Sequence, residues 1–243
     1  MVEKPLSLRV YDQPQFAERF GRTGGFAPDR KEKMLRVTAD LLLALAPKKS
    51  VLLELGAGTG HFTEKITATG HFSRIYVTDG ATAMLEIARQ RLPNEHGLLH
   101  FDIIDFTTQW AKRFANNRFD AVASTLALHH AENKRQLFSQ VFGVLEPQGV
   151  FVLGDHMDGS TIMGQRLIRR ERALERLRGE ESINETLIQE AMEYDEQRQE
   201  AEGDRCESVA RYQTYLDSCG FEEVECLWQD YWQAVFVAQK PAS

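Results

Sequence analysis

The chain is 243 residues long, 42% hydrophobic and 27% charged, which suits one large globular domain or one domain carrying an insertion. Its formal net charge of -7 argues against a nucleic-acid partner, because holding a polyanion draws on clustered Lys and Arg. Three cysteines, Cys206, Cys219 and Cys226, form no CxxC pair, so neither a disulfide framework nor a zinc spacing is offered and no metal is expected.

The opening "MVEKPLSLRVYDQ" lacks a sustained apolar run, and the longest one, Leu41 to Ala46, is too short to span a bilayer. A cytoplasmic protein without a membrane partner is therefore expected. Residues 1–28 lie outside any strand pattern. Tyr11, Phe16 and Phe20 supply anchors and Gly21, Gly24 and Gly25 hinge points, so the segment is expected to fold over a bound ligand.

From Asp29 to Ala46 the positions Met34, Val37, Leu41, Leu42 and Leu45 recur at helical spacing, and Pro47 ends the pattern. The chain then alternates. A strand near Val51 to Leu55, a helix to about Thr69, the strand "RIYVTD", the helix "TAMLEIARQRL" and the strand "LLHFD" follow in order. A helix near Thr107 to Phe114, the strand "FDAVAST", a helix near Asn133 to Val144 and the strand "GVFVLGD" complete the run. Apolar strands separated by helices imply a parallel sheet covered on both faces.

After Asp155 the alternation stops, and residues 160–205 carry helix formers without a strand signal. The first half is basic, with Arg166, Arg169, Arg170, Arg172, Arg176 and Arg178; the second is acidic, and Gly179 stands between them. Two helices of opposite charge are expected to pair. The stripe Met163, Leu167, Leu174, Leu177, Ile183, Leu187, Ile188 and Ala191 is too regular for a disordered loop, so the segment should pack as a lid or as an arm pairing two copies. A helix near Ser208 to Ser218, stopped by Gly220, precedes an antiparallel hairpin of "FEEVECLW" and "QAVFVAQK", linked around Asp230 and Tyr231. Trp228, Tyr231 and Trp232 crowd this hairpin and read as core more readily than as a substrate wall.

The stretch "LLELGAGTGHF", Leu52 to Phe62, places glycines at a strand-to-helix turn, where a nucleotide can approach the backbone. No Lys-Ser/Thr follows Gly60, which excludes a P-loop, and His61 stands where a dinucleotide fingerprint has glycine. Glu54 before the turn suits a ligand carrying an ammonium and a sulfonium and would repel a pyrophosphate. Asp79 ends "IYVTD", where a carboxylate can accept both hydroxyls of a ribose. Asp102 ends "LLHFD", where it can take an adenine amino group, with Ile103 supplying apolar contact and a backbone amide. Together they describe one nucleoside lying across the carboxyl edge of the sheet.

These residues resemble the class I S-adenosylmethionine-dependent methyltransferases from about Tyr11 to Gln239, through "VLLELGAGTG", "IYVTDGATAML", "LHFDIIDF", "FDAVASTLALHH" and "VLEPQGVFVLGDH" in order. The resemblance implies a single α/β domain over 1–243 with a Rossmann-like seven-stranded sheet of order 3-2-1-4-5-7-6, the last strand antiparallel. It implies S-adenosylmethionine as cofactor, with Glu54, Gly56, Ala57, Gly58 and Gly60 around the methionine part, Asp79 and Gly80 at the ribose, and Asp102 and Ile103 at the adenine. Met84 and Ser124 complete the implied cofactor set. The carboxy-terminal part is also similar to small-molecule methyltransferases and to carboxy-S-adenosylmethionine synthase, which serves transfer-RNA modification.

Methyl transfer from a sulfonium is an in-line displacement, so the protein must mainly align an acceptor and exclude water. A base is needed only for a protonated acceptor. The candidates are His129 and His130 after "FDAVASTLAL", and His156 after the next strand. The leading expectation is methyl transfer to a small molecule. The alternatives are a transfer-RNA-directed or carboxylated-donor enzyme, and a donor-binding subunit without chemistry of its own.

Overall fold

The computed structural model describes residues 4–23, 26–94, 97–115 and 118–242, so the proposed hinges Gly24 and Gly25 lie outside the described residues. Three helices come first: α1 (Leu6–Tyr11), α2 (Pro14–Thr23) and α3 (Pro28–Leu45). In α3, Met34 and Leu42 are fully buried, as the spacing predicts. Pro28 opens the helix, where its missing N–H is not needed.

The alternating section then unfolds as β1 (Val51–Leu55), α4 (His61–Thr67), β2 (Arg74–Asp79), α5 (Thr82–Arg91), β3 (Leu99–Ile103), β4 (Phe119–Thr125), α6 (Lys134–Val144) and β5 (Leu145–Asp158). The helix expected over Thr107 to Phe114 is only a 3-10 turn, Trp110–Phe114. Asp105 is the reason: its carboxylate accepts from the Thr107 amide at 2.8 Å and hydroxyl at 2.7 Å, a local turn that competes with helix. Beyond β5 come α7 (Ile162–Arg176), α8 (Glu185–Glu202), the two-residue β6 (Glu207–Ser208), α9 (Val209–Ser218), β7 (Glu222–Asp230) and β8 (Gln233–Gln239).

The sheet order is β3-β2-β1-β4-β5-β8-β7, with β8 antiparallel to both β5 and β7. Setting aside β6, which pairs with the end of β5, this is the expected order 3-2-1-4-5-7-6. The period of two sorts the core. Phe151 and Leu153 of β5 face Phe138 of α6 and Tyr212 of α9, while Val152 between them faces Met34 and Leu42 of α3. Among the described residues no helix is long and apolar enough to cross a membrane.

The inserted helices pair as their charges predict, through Arg169 with Glu196 at 2.9 Å, Arg170 with Glu185 at 2.8 Å, and Arg176 with Asp195. Exposed pairs of this kind contribute about 0.2–1 kcal/mol each, so Ala173, Ile188 and Ala191, buried between the helices, do more to hold them. The stripe is only partly covered: Met163, Leu167 and Ile183 are exposed, because the packing is confined to the second half of α7. Arg30 of α3 anchors the pair to the rest of the fold, reaching Glu171 at 2.7 Å, Glu175 at 3.3 Å and Asp230 of the hairpin at 2.5 Å. Trp232 is buried against Phe26 and under Arg172, so it is core; Tyr231 is exposed.

Candidate functional site

Where β1 ends, the chain turns through residues 56–60 into α4, and two glycines set the shape of that turn. Gly56 has φ +70°, and a Cβ there would lie 2.1 Å from the Cβ of Ala127, so the loop after β4 closes onto bare backbone. Gly58 has φ +56° and open space where its Cβ would sit. The turn is stitched to β2: the Ala57 amide donates to the Thr78 carbonyl at 2.8 Å, and the Gly58 amide to Asp79 Oδ2 at 2.8 Å. Asp79 Oδ1 accepts from the Ala81 amide at 2.8 Å. Burial raises the Asp79 carboxyl above its ordinary value, and the amides of Ala81, Gly58 and Gly80 hold the rise in check.

A cavity opens over this turn. Its walls are residues 56–59, Asp79, Gly80, Met84, residues 104–107 and residues 125–127, with Leu8, Tyr11 and Phe20 from the first two helices and His130 at the far side. The amino-terminal helices are held there by Ala17, Ala81, Ala83 and Met84, which pack with Phe16 and Phe20, and by Asp12, whose carboxylate accepts from the Ala83 amide at 2.9 Å.

Several residues expected at this cavity stand elsewhere. Asp102 is turned outward into a two-point ion pair with Arg113, at 2.5 Å and 3.1 Å, and Ile103 is exposed. The chain bends after Ile103, where the Ile104 amide donates to the Asp79 carbonyl at 3.0 Å, and this carries residues 104–107 inward instead. Ser124 is fully buried and donates to the Leu55 carbonyl at 2.7 Å, clasping β4 to β1 outside the cavity. Gly60 backs onto Ala88 of α5 and Leu92 just after it. Glu54 lies behind the turn, 1% exposed, accepting from the Thr63 hydroxyl at 2.7 Å. Its other oxygen is buried without a partner. Burial pushes its carboxyl up to about 7, against the Thr63 bond and with help from Asp79.

Of the three histidines only His130 lines the cavity. His129, buried beneath it, donates from Nδ1 to Asp155 Oδ1 at 2.6 Å. Asp204, in the link after α8, comes within 3.2 Å of His130 Nδ1 and 3.6 Å of His129 Nε2. The His156 ring lies 4.8 Å from that of His129. Burial lowers His130 and the charge on His129 lowers it further; burial also works against a charge on His129, but Asp155 and Asp204 outweigh it and raise that ring. Burial holds His156 well below its ordinary value, with His129 and Arg172 adding to the effect.

Residues 53–153 match the family described as a methyltransferase domain. The stretch from β1 to β5 thus carries a methyltransferase domain. It is 36% identical to an uncharacterized methyltransferase of Oceanobacillus iheyensis over 108 residues, 44% of this chain and 46% of that protein. It is 28% identical to a malonyl-acyl-carrier-protein O-methyltransferase of Pectobacterium atrosepticum over 179 residues, 73% of this chain and 64% of that protein. The matches thus span from about half to two thirds of these curated relatives. The fold is also that of an O-methyltransferase family protein from Burkholderia thailandensis, with a TM-score of 0.67 and 13% identity, covering 99% of this chain and 65% of that one.

Within this methyltransferase fold, sequence reasoning missed Asp204 altogether. Its only local signal is Gly203, the left-handed cap that ends α8 and turns the chain back toward the sheet. The return is held by bonds to main-chain carbonyls: the Arg205 amide donates to that of His129 at 2.9 Å, and the Lys134 side chain, through Nζ, to those of Ala131 and Arg205 at 3.0 Å and 2.6 Å.

Proposed function

We propose that the protein transfers a methyl group from S-adenosylmethionine to a small-molecule acceptor by in-line displacement. The observation that carries this reading is one cavity walled by the glycine turn, Asp79, residues 104–107 and His130. The cofactor fits the residues present: the open space at Gly58 admits a ligand against the backbone, and Asp79 lines the same cavity. When bound, it supplies an electrophilic methyl on a sulfonium.

The chain's own part is to bind, orient and cover. Each Asp79 oxygen already accepts one amide and keeps a lone pair for a ribose hydroxyl. Ile104 and Phe106 flank an adenine in place of Asp102 and Ile103. Residues 1–28, through Leu8, Tyr11 and Phe20, close the cavity against water. His130 faces the acceptor side, where its ring can take an acceptor proton, and residues 160–205 serve as a lid that reaches this side through Glu202 on the Tyr11 hydroxyl and Asp204 beside His130. The exposed Ile162, Met163 and Leu167 of α7 support pairing of two copies through the same insertion. Three free cysteines fit a cytoplasmic setting.

Calorimetry with S-adenosylmethionine and its demethylated product tests the donor site, and methyl release from labelled donor with panels of small acceptors tests the transfer. Saturable donor binding followed by acceptor-dependent release is expected. Absence of donor binding by the folded protein would overturn the reading.

A further inference from the structure

Beneath the cavity, and apart from the donor site, three side chains from distant parts of the chain converge: His129 after β4, His156 in β5 and Asp204 after α8. One potential ligand atom from each lies within 4.8 Å of the others. We propose that they form a site for a divalent transition-metal ion, which pins the end of the helical insertion to the carboxyl edge of the sheet.

The hydrogen bonding already present argues for it. Nδ1 of His129 gives its proton to Asp155, and Nε2 of the same ring stands 3.6 Å from Asp204 Oδ1. A proton on Nε2 would answer that pair alone and leave His156, whose Nδ1 is buried without a hydrogen-bond partner. An ion satisfies all three at once. Asp204 Oδ1 is likewise buried and without an aligned donor, and the side chains of His129 and Asp204 are each only 4% exposed.

The chemistry of the set agrees. Two imidazoles and one carboxylate suit zinc, cobalt or nickel better than magnesium or calcium. Ligand bonds of about 2.0–2.1 Å place neighbouring donors roughly 3–4 Å apart, so the 3.6 Å pair is already spaced for an ion and the widest pair must close by about 1 Å. Asp155 behind His129 is the carboxylate that fixes the ring of a metal-bound histidine. Arg172, Arg198 and Lys134 are the cations that oppose an ion here, set against Asp155 and Asp204. A second cleft, lined by Met157, Arg172, Asp204 and Cys206, gives a path in from solvent.

The test uses the full chain, stripped with a chelator and titrated with cobalt(II). Visible d–d absorption saturating at one equivalent is expected, and zinc should abolish it by competition. His156→Ala and Asp204→Asn should each weaken cobalt binding by at least about tenfold, or 1.4 kcal/mol. Circular dichroism of the metal-free proteins confirms that each is folded. A folded wild-type protein giving no saturable signal would overturn the site, as would a signal unchanged in both variants. Donor binding measured on the stripped protein is independent of this result, so failure here leaves the donor site standing and the reverse also holds.

Discussion

Thr63 donates to one oxygen of the Glu54 carboxylate at 2.7 Å, and the other oxygen, equally buried, has nothing to accept from. In the free protein such a carboxylate is a liability. Its folded value of about 7 lies above the unfolded 4.5, so the stability it allows is complete below the unfolded value and is lost as pH rises through about 7. The loss is on the order of 3 kcal/mol by about pH 8. Glu54→Gln should therefore raise the stability of the ligand-free protein at about pH 8 by roughly 1–3 kcal/mol and change it little at about pH 5. Denaturant melts at the two pH values measure this. The same variant should bind S-adenosylmethionine more weakly by about 1.5–3 kcal/mol, the worth of a charged hydrogen bond. A variant less stable at both pH values, with donor affinity intact, would show that Glu54 serves the fold alone.

Asp79 and Asp102 end neighbouring strands, yet they should respond differently to removal. Asp79→Ala takes away a wall of the cavity and the acceptor that shapes the turn at Gly58, and should weaken donor binding by about 1.5–3 kcal/mol. Asp102→Ala breaks only an exposed pair with Arg113, so donor affinity should move by less than about 1 kcal/mol. Calorimetry on both variants decides. Equal losses would restore Asp102 to the adenine.

The contrast shows where the sequence is legible. Periods of two and 3.6, with glycine and proline as punctuation, expose the strands, the hairpin and the glycine turn, because each is a local pattern. The wall formed by residues 104–107 was not legible, since it depends on a bend after Ile103 that only the register of β3 against β2 creates. Ser124 carries the same lesson. Its place at a strand end is visible in sequence, but its bond to Leu55 is set by the neighbouring strand. Asp204 belongs to a segment with no strand signal, and nothing local tells that Gly203 aims it at two histidines.

Of the three candidate histidines His130 is the one that lines the cavity, so it should govern turnover rather than donor affinity. With an acceptor that must lose a proton, His130→Ala should lower kcat by about 10²–10⁴ and leave donor Kd nearly unchanged. A tertiary amine needs no base, and with such an acceptor the loss should be small. Steady-state kinetics with both acceptor types separates the two roles; equal losses would mark His130 as a packing residue.

The insertion offers the broadest test, because donor and acceptor rest on different elements if it is a lid. Replacing residues 162–197 with a Gly-Ser linker removes α7 and most of α8 but keeps Glu202, which accepts from the Tyr11 hydroxyl at 3.2 Å, and Asp204 beside His130. The donor walls, residues 56–59, Asp79 and residues 104–107, stay in place. Donor affinity should then hold within a factor of about three, under 1 kcal/mol, while acceptor-dependent release is lost. Some stability should go as well: Arg30 loses Glu171 and Glu175 and keeps only Asp230, and Trp232 loses the cover of Arg172. The comparison is therefore made at a temperature where circular dichroism shows the shortened chain folded. If a folded, shortened chain still transfers methyl groups at the full rate, the helices are no lid.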